Sequence, residues 1–202
     1  MRDYTTKQLD MFDIQPEYLP GMAKHAVLDF ETGGTDNKRN ALCSVAIVRV
    51  DCNFKEIDRY YTLIIDTPDK IIEGEALRIN GLTREQIAAE GRPWPEVFAE
   101  IKNRLWDCIP VAHNAQFDFG FLRERGYSIT HAVCTMENDF ALFPAQKHKL
   151  GLVYQRLYGS QFAGAHNALG DVLATVQVLK WQVAKDPKYG VAQEINWNRF
   201  KR

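Results

Sequence analysis

The sequence predicts an α/β fold with a mixed central sheet flanked by helices, and three observations carry that reading. Two long β-rich runs lie side by side early in the chain, as in an antiparallel meander. Short apolar runs then alternate with segments of helical periodicity, the arrangement that brings parallel strands into a sheet through crossovers. No internal repeat or low-complexity block interrupts this order.

In chain order, residues 1–23 are irregular, broken by Pro16, Pro20 and Gly21, and are expected to form a flexible tail. "HAVLDF" (25–30) is a short apolar strand. "ALCSVAIVRVD" (41–51) and "KEIDRYYTLII" (55–65) form a hairpin across Cys52, Asn53 and Phe54. Thr83 and Gln86 make a capping box for the short helix "TREQIAAE". Pro95 opens a longer helix with an apolar stripe of Val97, Phe98, Ile101 and Leu105. "IPVAH" (109–113) reads as a buried strand leading into the helix "NAQFDFGFLRER", and "HAVCT" (131–135) as another strand. Helices follow at 149–158 and 167–184, and the end of the chain is polar and aromatic. The folded unit is thus expected at 24–184, with 185–202 as a C-terminal extension.

Composition bounds the function without choosing it. At 202 residues the chain can bury one sizeable core. No apolar run approaches the ~20 residues that span a bilayer, and no basic leader precedes an apolar stretch. Cys43, Cys52, Cys108 and Cys134 are scattered without a CxxC pair, as expected of free thiols in a reducing cytoplasm. A formal net charge of -1 gives no bulk attraction toward a polyanion.

The chemistry lies in the placement of acids. Asp29 and Glu31 are two apart on a strand and so share a face, just before Thr32-Gly33-Gly34 breaks it. Two carboxylates this close repel unless they share a proton or bind a cation. In "HNAQFD" (113–118), Asp118 shares the inward helix face with Phe121 and Leu122, so a positive partner is expected; Arg123 or Arg125 could supply it. In "HNALGDVLAT" (166–175), Asp171 lies off the apolar stripe of Leu169, Val172, Leu173, Val176 and Leu179, and His166 precedes the helix on a loop. Each motif alone also fits a solvated strand end, a structural ion pair or a surface histidine. Together, four convergent carboxylates suit two hard divalent ions, Mg²⁺ or Mn²⁺, and a neutral imidazole can take a proton from an attacking water.

"LDFET", "HNAQFD" and "HNALGD" resemble, in order and spacing, the three motifs of DEDDh-superfamily 3′–5′ exonucleases. The branch they resemble includes the proofreading epsilon subunit of bacterial replicative DNA polymerase. "INGLTREQI" and "CTMENDFALFP" extend the likeness across about 24–184. The resemblance implies a ribonuclease H-like fold and hydrolysis at DNA 3′ ends with release of nucleoside 5′-monophosphates. It makes Asp29, Glu31, Asp118 and Asp171 metal ligands and His166 the general base; Asn167 stands where the tyrosine subclass would carry its tyrosine. Thr32, Asn114 and Phe117 become substrate-binding candidates, Thr32 through its backbone N–H and Phe117 facing either the core or a base. Lys147 and Lys149 stand either at the strand's entry or on a solvated loop. The chain departs from the family pattern at Thr35, where an apolar wedge is usual, and at Asn80, where a histidine is usual.

One feature of the tail then gains meaning. "QLDMF", Gln8-Leu9-Asp10-Met11-Phe12, is similar to the peptide by which bacterial replication proteins dock on the sliding clamp. The other reading is a strap packed on a sheet edge. A DNA polymerase is a further implied partner. The competing functions are an exoribonuclease of the same superfamily and a catalytically silent accessory or nucleic-acid-binding module.

Overall fold

The computed structural model describes residues 21–197. Among the described residues there are seven strands: β1 (His25–Thr32), β2 (Leu42–Val50), β3 (Glu56–Ile65), β4 (Arg92–Pro93), β5 (Ile109–Ala112), β6 (His131–Cys134) and β7 (Gln193–Glu194). They form one sheet in the order β4-β3-β2-β1-β5-β6-β7. β1, β2 and β3 are an antiparallel meander, β5 and β6 join β1 in parallel, and β7 closes the far edge antiparallel to β6. The mixed sheet expected from the sequence is the one observed.

Seven α-helices cover it among the described residues: α1 (Gly74–Asn80), α2 (Arg84–Glu90), α3 (Trp94–Leu105), α4 (Ala115–Glu124), α5 (Thr135–Leu142), α6 (Leu150–Tyr158) and α7 (Ala168–Lys185). The Thr83–Gln86 capping box opens α2, with both reciprocal bonds made. Pro95 lies in the first turn of α3, where its missing N–H has no intrahelical acceptor to serve.

Strand alternation sorts β1 between two cores. Ala26, Leu28 and Phe30 pack with Val97, Ile101, Phe119 and Leu122, on the face covered by α3 and α4. Val27 packs with Val172, Val176 and Leu179 of α7 on the opposite face. Asp29 and Glu31 continue the second series, so the same alternation that buries Val27 aims both acids toward α7. The four cysteines are all free thiols. Among the described residues no helix is long and apolar enough to cross a membrane.

Candidate active site

Acids from three elements meet at the C-terminal end of β1. Asp29 and Glu31 stand opposite Ala46 and Ser44 of β2, small neighbours that do not crowd them. The β1–β2 register shifts between Glu31 and Thr32, a bulge that ends regular pairing at the acid pair. On the other side, β1 outruns β5, since their pairing stops at Val27 and Val111. The Phe30 N–H beyond that point donates instead to Asp118 Oδ1, at 3.2 Å. Asp118 therefore completes the ladder where β5 has ended, and it is only 3% exposed. Asp171 arrives from the first turn of α7, whose start is capped by Asn167 accepting from the Leu169 and Gly170 N–H groups. One oxygen each from Asp29, Glu31 and Asp171 lies within 4.8 Å of the others.

Four acids gathered in a largely buried site resist ionising together. Burial first, then the charges of Asp118, Asp171 and Glu31, push the Asp29 carboxyl well above the usual carboxylate range. Burial, followed by the Asp171 and Asp118 charges, raises Glu31 to about 8. Asp118 is raised to about 7, chiefly by burial, against the opposing pull of the Phe30 N–H. Asp171 rises to about 6 by burial, while the charge and backbone N–H of His166 act to lower it.

Neither Arg123 nor Arg125, the structural alternative, pairs with Asp118. Arg125 pairs instead with Asp66, both side chains buried, and Arg123 lies over the Trp197 ring at 4.9 Å. A backbone N–H takes the place of a cation at Asp118. The cluster's acid oxygens form an oxygen-only donor set, and among the described residues His166 beside Asp171 is the basic side chain that acts on it, an arrangement suited to hard divalent ions.

His166 is held differently. It is exposed, directly precedes the Asn167 cap, and has φ 63°, in the left-handed region that few side chains occupy. The loop reaches this conformation by close approach to α7. A Cβ on Gly170 would sit 2.2 Å from the Gly164 carbonyl oxygen, so only glycine lets the loop settle there.

The other predicted residues fall nearby with mixed roles. Thr32 is half-buried and its hydroxyl donates to the Gly34 carbonyl at 2.7 Å, fastening the turn after the acids. Asn114 precedes α4 without capping it by its side chain, and its buried Oδ1 has no hydrogen-bond partner. Phe117 is half-buried and packs edge-on to Phe121, 5.2 Å between centroids. Asn80 is buried and donates to the Thr32 carbonyl at 3.4 Å, supporting the site from beneath. Thr35, Lys147 and Lys149 are exposed. Gln8, Leu9, Asp10, Met11 and Phe12 lie outside the described residues.

A supporting network escaped sequence reasoning. His113, at the end of β5, is bonded through Nδ1 to the Thr135 hydroxyl at 2.8 Å and donates from Nε2 to the His148 carbonyl at 2.7 Å. Asp139 in turn accepts from His148 Nδ1 and from Arg156. This ties the α5–α6 loop to the strand that launches α4. The signal available was the histidine opening "HNAQFD"; its partners lie 22 and 35 residues away in sequence.

A mixed sheet with two acids on its central strand, and one more from a helix on each face, is a ribonuclease H-like arrangement. The chain belongs to the exonuclease family RNase_T, whose model matches residues 26–179. It is 31% identical over 192 residues to the PolC-type DNA polymerase III of Thermotoga maritima, covering 90% of this chain and 13% of that protein. The chain thus spans a small part of the curated relatives it matches. E. coli exonuclease I in complex with a dA16 oligonucleotide shares the fold, with TM-score 0.67 and 19% identity over 84% of this chain and 42% of that one. Exonuclease X in complex with 5′ overhanging duplex DNA gives TM-score 0.65 and 25% identity over 81% and 93%.

Proposed function

We propose that this chain is a metal-dependent 3′–5′ exonuclease that hydrolyses the terminal phosphodiester of a single-stranded or frayed DNA 3′ end and releases nucleoside 5′-monophosphates. The observation that carries this is the convergence of Asp29, Glu31 and Asp171 within 4.8 Å, with Asp118 beside them and, among the described residues, no ion pair to its carboxylate. Asp29, Glu31, Asp118 and Asp171 would hold two ions, Mg²⁺ or Mn²⁺. Such ions, when bound, neutralise the acids and stabilise charge on the attacking and leaving oxygens. Glu31 orients the attacking water, and His166 takes its proton from the rim of the site. Thr32, Asn114 and Phe117 position the terminal nucleotide. The exposure of His166 suits this role, because a base on the rim can pass its proton to solvent once the bond is cut.

DNA over RNA is supported by the relationship to a PolC-type DNA polymerase III, which also makes a DNA polymerase the natural partner, in proofreading or repair. The Gln8–Phe12 peptide adds a second partner, a bacterial sliding clamp. Clamp docking would raise the local concentration of the nuclease at DNA ends without altering the site. Both roles would be carried out in the cytoplasm.

The test is degradation of matched single-stranded DNA and RNA, each labelled at the 5′ end, with Mg²⁺ or with EDTA. The expected result is a descending DNA ladder that EDTA abolishes. A faster RNA ladder would make the enzyme an exoribonuclease, and no shortening of either strand would make it a silent accessory module. Deleting residues 1–13 should spare activity on free oligonucleotides and abolish retention on immobilised clamp; retention unchanged by the deletion would remove the docking assignment.

A further inference from the structure

The loop that carries His166 runs from Gly159 to Asn167, and every residue of it but Phe162 is exposed. Phe162, half-buried, lies four residues before His166. Its ring packs edge-on to Tyr154 of α6, 5.3 Å between centroids and 62° between planes, the geometry that aromatic pairs prefer. Tyr154 in turn lies 4.7 Å from the Tyr158 ring one helical turn on. The Tyr158 hydroxyl donates to the Gln177 carbonyl of α7 at 2.8 Å. A continuous path of rings thus runs from the loop through α6 to α7, the helix whose first turn carries Asp171.

α6 is a firm support for that path. Besides the Tyr158 bond to α7, its Arg156 forms an ion pair with the buried Asp139 of α5. The helix is therefore tied to both of its neighbours, and the Tyr154 ring stands on an element that does not move with the loop.

The loop needs an anchor on this side. α6 ends at Gly159 in the left-handed region, φ 74°, which turns the chain away from the helix. Gly164 and His166 are also left-handed, at φ 78° and φ 63°, and the Asn167 N–H donates to the Gly164 carbonyl at 3.1 Å. A histidine keeps such a conformation only where its surroundings over-determine it. On the side of α7 the Gly164–Gly170 contact and the Asn167 cap do this. On the side of α6 the ring of Phe162 supplies the contact.

We propose that Phe162 is a positioning residue for the reaction, which by docking on Tyr154 holds His166 in the place from which it takes the proton. The inference rests on the nuclease reading above and adds to it how an exposed loop keeps one geometry. Removing the ring leaves the acids, the Asn167 cap and the histidine itself in the chain. The loss therefore falls on the cutting step rather than on substrate or cation binding.

Single-turnover shortening of 5′-labelled oligo(dT) in Mg²⁺, followed over a range of enzyme concentrations, separates the cutting rate from half-saturation. Phe162→Ala should slow cutting by about 10–10²-fold, with half-saturation and the calorimetric affinity for Mn²⁺ unchanged, and Phe162→Tyr should restore most of the rate. Tyr154→Leu should reproduce the loss from the other side of the contact, and carries the comparison if Phe162→Ala fails to fold. In a His166→Ala background, either substitution should slow cutting no further, because each acts through the base. The His166 ring resonance, identified by its absence from His166→Ala, should move in Phe162→Ala. A native cutting rate in Phe162→Ala and Tyr154→Leu, or the same fold loss with and without His166, would overturn the positioning role. A native protein that shortens no strand, or a His166→Ala variant that cuts as fast as the native protein, would instead overturn the nuclease reading itself.

Discussion

The end of β1 and the loop at 159–167 both contribute to the proposed reaction site, yet they are built in opposite ways. At β1, Asp29 and Glu31 are fixed by strand pairing, and Asp118 is locked to the Phe30 N–H in the core. The loop holds His166 exposed, in a left-handed conformation reached through the Gly164–Gly170 contact. The difference separates two demands. Holding cations needs several charges kept close against their repulsion, which only a sheet and core can enforce. Moving a proton to solvent needs one exposed group correctly placed, for which a loop suffices.

The comparison breaks most completely at the acids. Asp29→Asn should abolish 3′-end shortening while raising the melting temperature in EDTA near pH 8, because it removes one of four acids whose ionisation burial and their neighbours oppose. An unchanged or lower melting temperature in EDTA would show that the acid cluster is not strained. At the loop, His166→Ala should slow shortening by about 10²–10⁴-fold, with melting temperature unchanged. Gly170→Ala forces a methyl group against the Gly164 carbonyl and lifts His166 from its place; a fall of up to about 10²-fold in rate is expected from displacement alone. A rate equal to the native one would separate the loop's conformation from its chemistry.

The smallest effect sharpens the contrast through pH. The site acids have folded-state pKa values raised above the ordinary carboxylate range, so the folded protein holds more protons than the unfolded chain between the two. Their contribution to stability is complete below that range. It is lost as pH rises through about 6 for Asp171, about 7 for Asp118 and about 8 for Glu31. The melting temperature in EDTA should therefore fall by several degrees between pH 5.5 and 8.5, and Mn²⁺ should flatten that fall. A melting temperature rising with pH in EDTA would reverse the sign of the electrostatic account.

The same division governs what could be read before the fold was known. β1, β2, β3, α3 and α7 were legible because each buries an apolar run or stripe. α5 was not: its fully buried residues are Thr135 and Asp139, which hydrophobic periodicity cannot register. α1 likewise buries only Asn80. The acids and His166 were legible as motifs, since their local spacing carries the chemistry. The partner of Asp118 was not, because a backbone N–H 88 residues away replaced the arginine that local sequence suggested. The C-terminal extension read as a polar-aromatic tail, and only the β7–β6 pairing places Trp197 beside α4.

The central claim is that the sheet-held acids bind the cations and the loop histidine does not. Calorimetric titration of Mn²⁺ into the native protein, His166→Ala and Asp29→Asn tests it most directly. The account predicts the same stoichiometry and affinity for the native protein and His166→Ala, and loss of binding in Asp29→Asn. A native protein that takes up no Mn²⁺, or a His166→Ala variant that loses it as fully as Asp29→Asn, would contradict it.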